Sequence, residues 1–314
     1  MPTTEGLIQH LQDTIDASRS RVVGLPHRIW LFGGGFAEKT SEPPVSLRDS
    51  FNRECRQRPY SWASDISCPE EYPDWLEFSG YEDLLLFERD AGFLSRVIVI
   101  FVESAGAFAE LGAFALDEQL HRKLFVVIPR KHREHARRRS FLNLGPLKRI
   151  EGSKPTANGT SSNICVIDSD RVADFNGVEL DLIFESLDAW LTQGHASERF
   201  RNDNPTHRLL LIADLVDLLQ VVSEKNTIEA AKLFGLEIDR ADIRKCAQLL
   251  DMLGLIRFSE RGNEKFLVTL KAKGSPLVEY DAKPGRRFER LSFKTKAWQL
   301  VKADPRLSPL LTSA

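Results

Sequence analysis

The stretch from Val97 to Phe114 constrains the fold most, because it has the pattern of a buried strand, a turn and a helix. Its first six residues are apolar and mostly β-branched, a run too short for a typical helix and typical of a buried parallel strand. Ser104-Ala105-Gly106 interrupts the run, and a helix of small and apolar residues is predicted to follow. This order predicts an open α/β sheet, in which ligands bind at the carboxyl ends of the strands.

Glu110 is the residue of this stretch that we expect to carry chemistry. We predict that it lies in the first turn of the helix, where the helix dipole favours a negative charge. An ionised carboxylate there could act as a nucleophile or stabilise a sugar cation. The alternative is a first-turn glutamate that only complements the helix dipole, and its position alone does not separate the two.

A run of three glycines, Gly33, Gly34 and Gly35, follows another predicted strand over residues 28–32. Glycines after a strand let the backbone approach a ligand closely. We therefore expect Gly33–Gly35 and Ser104–Gly106 to form two sides of one ligand pocket. An ordinary tight turn is the alternative, and the spacing does not match the dinucleotide-binding G-x-G-x-x-G motif.

A longer set of residues around Glu110 matches a known pattern. The set comprises Glu103-Ser104, Gly106, Phe108, Glu110-Leu111-Gly112-Ala113-Phe114, Arg122-Lys123-Leu124, Ser140-Phe141, Asn143 and Gly145-Pro146. It resembles the nucleoside deoxyribosyltransferase-like effectors of retron anti-phage defence systems. The resemblance is strong over about residues 90–150, looser over residues 25–90, and only architectural beyond residue 195.

The resemblance implies a Rossmann-like parallel sheet and assigns roles to several residues. Glu110 would be the catalytic carboxylate. Glu71, in a Pro-Glu-Glu element, and Glu88, in a helix predicted over residues 84–93, would bind substrate. With the pocket residues above, the predicted substrate-binding set is Gly33, Gly34, Gly35, Glu71, Glu88, Ser104 and Gly106.

The resemblance also implies an activity: a toxic effector that cleaves an N-glycosidic bond of a nucleotide, with NAD favoured as substrate and no cofactor. A reverse transcriptase bound to its RNA–DNA hybrid would restrain it until phage infection. One alternative is a non-catalytic, nucleotide-sensing DNA-binding regulator that uses the same pocket. A phosphoribohydrolase is a third candidate, although the Pro-Gly-Gly-x-Gly-Thr loop of that class is absent.

A strongly basic segment, residues 130–139, follows a predicted strand over residues 124–128. Such a segment at the carboxyl end of a strand favours contact with phosphates, of a nucleic acid rather than a dinucleotide. A solvated surface is the alternative. The predicted nucleic-acid-binding residues are Arg130, Lys131, Arg133, Arg137, Arg138 and Arg139.

The C-terminal part has the pattern of a winged helix. Helices are predicted over residues 207–222, 227–235 and 239–253, and a hairpin over residues 255–270, before a basic tail. The third helix carries acids beside its basic residues, so the hairpin and tail suit phosphates or another protein better than base readout. We predict a catalytic domain at 1–194, a linker at 195–205 and a winged-helix domain at 206–314.

Composition sets further limits. The chain has 314 residues and a net charge of −2, which gives no overall preference for nucleic acid. Its four cysteines show no Cys-x-x-Cys spacing, so we expect free thiols, no metal site and a cytoplasmic protein. No apolar run has the length of a membrane span. An amphipathic helix over residues 6–15 is expected to pack on the sheet or on a partner chain, and we expect an oligomer.

Overall fold

The structure is a computed structural model that describes residues 3–72, 81–134, 138–152, 162–192, 197–270 and 276–312. The helices are α1 (Thr4–Thr14), α2 (Leu47–Cys55), α3 (Leu84–Phe93), α4 (Ala105–Leu116), α5 (Lys148–Glu151), α6 (Gly177–Thr192), α7 (Pro205–Leu219), α8 (Glu224–Lys232), α9 (Arg240–Met252), α10 (Arg290–Ala303) and α11 (Ser308–Thr312). The strands are β1 (Ile15–Val22), β2 (Ile29–Phe32), β3 (Ile66–Ser67), β4 (Val97–Phe101), β5 (Leu124–Pro129), β6 (Ile164–Ile167), β7 (Glu198–Arg199), β8 (Val221–Ser223), β9 (Ile256–Arg261), β10 (Glu264–Thr269) and β11 (Val278–Ala282).

The chain divides into two compact units. The sheet unit comprises Pro26–Pro73 and Leu85–Gly194. The helical unit comprises Met1–Leu25, Asp74–Leu84 and His195–Ala314.

Within the described part of the sheet unit, five parallel strands form one sheet in the order β3-β2-β4-β5-β6. Every residue of β2, β4 and β5 is buried, because helices cover both faces of the sheet. On one face Phe101 packs on Phe51 of α2, which stacks on Phe184 of α6. On the other, Phe32 meets Phe114 of α4 edge to face. The predicted α/β class with a parallel sheet is confirmed.

In the helical unit, α7, α8 and α9 precede the antiparallel hairpin of β9 and β10. Strand β10 also pairs with β8, which gives the order β8-β10-β9. The prediction that the first of these helices runs to Val222 is wrong. Helix α7 ends at Leu219, because Gln220 has a φ of 69° that no helix accommodates, and Val221 and Val222 pair with β10 instead.

The N-terminal residues belong to the helical unit and not to the sheet unit in which they were expected. Strand β1 pairs with β11 and with β7, in the order β11-β1-β7. This places β7 within the predicted linker and β11 within the predicted basic tail. The strand escaped sequence reasoning because its sequence, Ile-Asp-Ala-Ser-Arg-Ser-Arg-Val, is mostly polar and main-chain pairing leaves no hydrophobic pattern.

Helix α10 is fixed by a buried ion-pair network. The Arg290 guanidinium donates to both carboxylate oxygens of Asp214, which is 1 % exposed, and to Asp217 at 2.7 Å. The Tyr280 hydroxyl donates to Asp214 at 2.6 Å. Burial and the Asp214 charge raise the pKa of Tyr280, so its hydroxyl remains a hydrogen-bond donor. The network joins α7, β11 and α10.

Two global properties complete the description. No helix among the described residues is both long and apolar enough to cross a membrane. Cys55, Cys68, Cys165 and Cys246 are free thiols, and burial raises the pKa of the first three, which keeps them protonated.

Candidate active site

The candidate site lies where β2 and β4, neighbours in the sheet, reach their carboxyl ends. Gly33 follows β2, and Glu103 and Ser104 follow β4. The Gly34 N–H donates to Glu103 Oε1 at 3.0 Å, and the Ser104 hydroxyl donates to the Gly33 carbonyl at 3.3 Å. The structure therefore brings together the two segments that were predicted to form the sides of a pocket.

Glu103 binds the start of α2 to this edge of the sheet. Its carboxylate accepts from Leu47 N at 2.6 Å and from Arg48 N at 3.0 Å, in addition to Gly34 N. Three backbone N–H groups on one carboxylate make a charge-assisted anchor. Sequence reasoning placed Glu103 in the motif but gave it no role, since its partners lie more than fifty residues away.

The three glycines have different surroundings. A Cβ at Gly34 would lie 2.6 Å from Ser46 Cβ, and at Gly33, whose φ is 155°, it would lie 2.9 Å from Phe101 Cβ. A Cβ at Gly35 would have no atom within 4 Å, and at Gly106 the nearest atoms would be Ser104 Oγ at 3.9 Å and Glu110 Oε1 at 4.0 Å. Gly33 and Gly34 thus serve packing, Gly35 faces open space among the described residues, and a side chain at Gly106 would contact Ser104 and Glu110.

Glu110 lies in the second turn of α4, so the prediction of a first-turn position is wrong. Ser104 is the N-cap, and its hydroxyl accepts from Ala107 N at 3.2 Å, so the helix begins at Ala105. The helix dipole is weak beyond the first turn. Burial instead raises the pKa of Glu110 to about 7, against the opposing charge of Arg48. The carboxyl is therefore poised between its two protonation states near neutral pH, not held ionised as expected.

Glu88 is the second buried carboxyl of the site. It is 6 % exposed on α3 and forms no hydrogen bond with the rest of the described chain. Burial, together with the charges of Glu110 and Glu70, raises the pKa of Glu88 to about 8. The Glu88 carboxyl is therefore largely protonated at neutral pH.

Arg48 is the cation of the site, and sequence reasoning missed it. It is 3 % exposed, and its guanidinium lies over the Phe36 ring at 4.1 Å. Nη1 donates to the Leu31 carbonyl at 3.2 Å, and Nη2 is paired with Glu70 Oε1 at 2.5 Å. A basic residue in the first turn of a helix beside a glycine-rich strand end is the signal that could have identified it.

Glu70, and not the predicted Glu71, joins this cluster. Glu70 is paired with Arg48 and influences both buried carboxyls, whereas Glu71 is exposed and has no partner among the described residues. Pro69–Glu71 forms a single 3-10 turn, which directs adjacent side chains to different sides.

Two buried polar atoms of the cluster lack partners. Arg48 Nε and Glu110 Oε2 are both inaccessible and form no hydrogen bond with the described part of the chain. Buried polar atoms are paired in the great majority of native structures, and unpaired ones are commonly found where function requires them. The unpartnered donor and acceptor make this cluster the candidate site.

The basic segment after β5 is largely neutralised by neighbouring acids. Arg130 is paired with Asp168, Lys131 with Asp170 and Arg133 with Glu151. Arg138 and Arg139 are exposed and have no partner among the described residues, and Arg137 lies outside them. Of the predicted nucleic-acid-binding set, Arg138 and Arg139 thus remain available to an external phosphate.

Two further motif residues have structural roles. The Lys123 ammonium is buried and donates to the carbonyls of Phe93 at 2.7 Å and Ser95 at 2.9 Å, which caps the end of α3. The Asn143 amide donates to the His132 carbonyl at 2.7 Å and shapes the segment after β5. These residues build the frame of the site without lining it.

Comparisons with known proteins identify the family of the chain. A sequence model of the family described as STM3845 retron effector protein matches residues 44–258. A protein of Escherichia coli, provisionally named as a ribosyltransferase/DNA-binding protein of retron Ec86, is 40% identical over 85 residues, which are 27% of each chain. A second, with the corresponding provisional name for retron Ec73, is 41% identical over 69 residues, 22% of this chain and 21% of that protein. The matches span about a quarter of the relatives' length.

Proposed function

The chain belongs to the STM3845 retron effector family, and from this premise we propose that it is an enzyme that cleaves the N-glycosidic bond of a nucleotide. The observation that carries the proposal is a cluster of charged groups: the buried Glu88 carboxyl lies within range of the Glu110 charge, and the half-buried Glu110 carboxyl, one oxygen of which is inaccessible, lies within range of Arg48. Paired carboxyls with displaced pKa values are what glycosidic bond cleavage uses. The provisional ribosyltransferase names of the two relatives support the same reaction class.

The chemistry follows from the charges of the site. Glu110, in its ionised form, lies beside the anomeric carbon and stabilises the positive charge that develops there. As the C–N bond breaks, its electron pair goes to the base, which for NAD leaves as neutral nicotinamide. Water then adds to the anomeric carbon, and the proton that it loses passes to the Glu110 carboxylate and from there to solvent. Glu88 has the higher pKa and retains its proton, so Glu110 is the carboxyl that ionises first. The protonated Glu88 donates a hydrogen bond to a substrate hydroxyl.

The substrate we favour is NAD, and Gly35, Gly106 and Ser104 are the proposed contacts with it. Gly35 supports this role because no described atom would meet a Cβ there, and Gly106 supports it because it lies next to the Glu110 carboxylate. NAD as substrate, toxicity, cytoplasmic location and an oligomeric state derive from the resemblance and the composition. So does restraint by a reverse transcriptase and its RNA–DNA hybrid, while family membership supports association with a retron system.

We further propose that residues 205–270 form a winged helix. Helices α7, α8 and α9 precede the β9–β10 hairpin, and β8, between α7 and α8, pairs with β10 in the order β8-β10-β9. This arrangement supports the module. The same observation favours the second candidate function, a DNA-binding regulator whose nucleotide pocket binds without turnover. The provisional names of the relatives include DNA binding, which supports it equally.

Nucleobase release distinguishes these functions. Purified protein is incubated with NAD and with a panel of nucleotides, and free base is separated by chromatography. Wild type is expected to release base, and Glu110→Gln, which keeps the size of the side chain and removes its charge, is expected to release none. Glu118→Gln is the matched control, because Glu118 is an exposed carboxylate just after α4, 78 % accessible, paired with Arg149.

The outcomes are decisive in both directions. Base release by Glu110→Gln within a few-fold of wild type would exclude the catalytic role. Nucleotide binding without release by wild type would favour the regulator.

A further inference from the structure

The helical unit contains a large cavity, of about 1130 Å³, that the proposed reaction does not use. Six elements supply its walls: the N-termini of α1 and α8, strand β8, the first two turns of α9, the β9–β10 hairpin, and α10 from Lys296 onward with the turn that follows. Its volume reaches the upper end of the range of sites for small molecules and cofactors. A nucleotide-sized ligand would fit within it.

The lining carries an excess of basic side chains, six against four acidic ones. Three of the basic side chains are paired, Arg244 with Glu224, Lys265 with Glu260 and Arg306 with Asp304. The other three are exposed, form no ion pair or hydrogen bond with the described part of the chain, and come from three helices: Lys225, Arg240 and Lys296. The Lys225 charge acts on Glu5 and lowers the pKa of that carboxyl.

Two helix N-termini reach the same cavity. Thr3 caps α1 and Ser223 caps α8, and both caps line the cavity. Each helix leaves backbone N–H groups without intrahelical partners, and these groups together with the helix dipole favour an anion. Glu5 and Glu264 also line the cavity and oppose an anion. Glu5 accepts from the Asn226 amide at 3.5 Å, so part of its charge is already engaged.

The rest of the lining suits a base and a sugar. Apolar side chains form one part of it: Leu7, Val221, Phe266, Leu300 and Leu307. Three carboxamides, which both donate and accept hydrogen bonds as base edges require, form another: Asn226, Asn263 and Gln299. Unpartnered cations, an apolar surface and amides in one cavity match the three parts of a nucleotide.

The walls of the cavity argue against a nucleic-acid duplex as its occupant. A winged helix binds duplex DNA by inserting its third helix into a major groove about 12 Å wide. Here Arg240 and Arg244 of α9 face a cleft that α1 and α10 also enclose, and the Asp214–Arg290 network holds α10 in place. A small ligand can enter such a cleft without moving these helices.

We propose that this cavity is a second nucleotide site, which binds the phosphates of a free nucleotide through Lys225, Arg240 and Lys296. The site belongs to the helical unit, and nothing in it depends on the reaction proposed for Glu110. Binding there would stabilise the conformation that holds α1, α8, α9 and α10 together, which makes the site suited to sensing a nucleotide rather than converting it.

Binding is measured on the full chain carrying Glu110→Gln, so that turnover does not interfere. The probe is N-methylanthraniloyl-ATP, followed by fluorescence anisotropy, with the four ribonucleoside triphosphates and NAD as competitors. The triple variant Lys225→Ala/Arg240→Ala/Lys296→Ala is expected to bind the probe at least about tenfold more weakly than the parent protein. The reason is that each phosphate contact is a charge-assisted hydrogen bond. The control is Arg19→Ala/Lys232→Ala/Arg287→Ala, which removes three exposed, paired cations of the same unit and is expected to change affinity less than about twofold.

Equal losses in the two triple variants, or no competition by any nucleotide, would overturn the proposal. Displacement of the probe by a single-stranded oligonucleotide but by no free nucleotide would also overturn it, and would assign the cavity to a nucleic-acid strand. The result does not depend on base release, so failure of the proposed reaction and failure of this site remain distinguishable.

Discussion

At the scale of single residues, Glu88 and Glu110 should make the stability of the fold depend on pH. Burial raises the pKa of Glu88 from 4.5 to about 8 and that of Glu110 from 4.5 to about 7. In the unfolded chain both carboxyls would ionise near their ordinary pKa, so the folded state binds more protons than the unfolded state between these values. The free energy of unfolding therefore falls as pH rises through this window.

Glu88→Gln should remove most of this pH dependence. The stability that the protonated Glu88 contributes is fully present below pH 4.5 and is lost as pH rises through about 8. A neutral glutamine does not titrate. The free energy of unfolding of the variant, relative to that of wild type, should therefore increase with pH, by a few kcal/mol at most. Urea unfolding across this window measures the difference, and parallel curves for the two proteins would contradict the assignment.

Substitution by alanine should destabilise the fold at Gly34 and leave its stability unchanged at Gly35. Gly34→Ala places a Cβ 2.6 Å from Ser46 Cβ and should cost about 1–3 kcal/mol of stability. Gly35→Ala meets no atom within 4 Å and should leave the thermal transition unchanged, while larger side chains at Gly35 weaken nucleotide binding. Thermal melts and nucleotide titrations test both, and a destabilised Gly35→Ala protein would place this loop differently.

The sequence predicted part of the candidate site, whose function stays a prediction. Glu110, Glu88 and the glycine run were found because a motif or a strand end marks them. Arg48 and Glu70 were missed because their meaning arises only when α2 and the Pro69–Glu71 turn meet at the sheet edge. The protonation state of Glu110 was predicted wrongly, because burial, which raises its pKa, cannot be read from the helix position alone.

At the scale of elements, the Glu103 carboxylate connects β4, α2 and the glycine loop. Glu103→Gln replaces one acceptor oxygen with an NH₂ group that faces backbone N–H donors. The expected cost is about 2–4 kcal/mol, because buried donors lose their partner. Chemical denaturation measures this cost. Glu54→Gln, on α2, is the control and should change stability by less than about 0.5 kcal/mol. An equal effect of both substitutions would show that Glu103 is no anchor.

Elements were predictable where burial is two-sided. Strands β4 and β5 and helix α3 appear within a residue of their predicted bounds, because continuous apolar runs define them. Strand β8 was predicted to be the end of a helix. The positive φ of Gln220 ends that helix, and no glycine in the sequence marks the position. Strands β1 and β11 pair across more than 250 residues of sequence, which no local pattern reveals.

At the scale of the whole molecule, the basic segment after β5 offers two cations to a nucleic-acid-containing partner. Arg138→Ala/Arg139→Ala should weaken binding to the reverse transcriptase–nucleic acid complex and reduce the salt slope by about one per phosphate contact. Arg130→Ala/Lys131→Ala should have less effect, since Asp168 and Asp170 already pair these cations. Co-purification or anisotropy over a range of salt tests this, and equal effects would assign the whole segment to a solvated surface.

The pH dependence of kcat/KM for base release tests the role of the carboxyl cluster most directly. If ionised Glu110 is required, activity should rise with pH through about 7. The Glu70 charge raises the pKa of Glu110, so Glu70→Gln should move the rise in activity to lower pH. Glu71→Gln is the control: Glu71 is adjacent and has no side-chain partner among the described residues, so the rise should stay at the same pH. A flat profile, or a rise that shifts equally in both variants, would contradict the account.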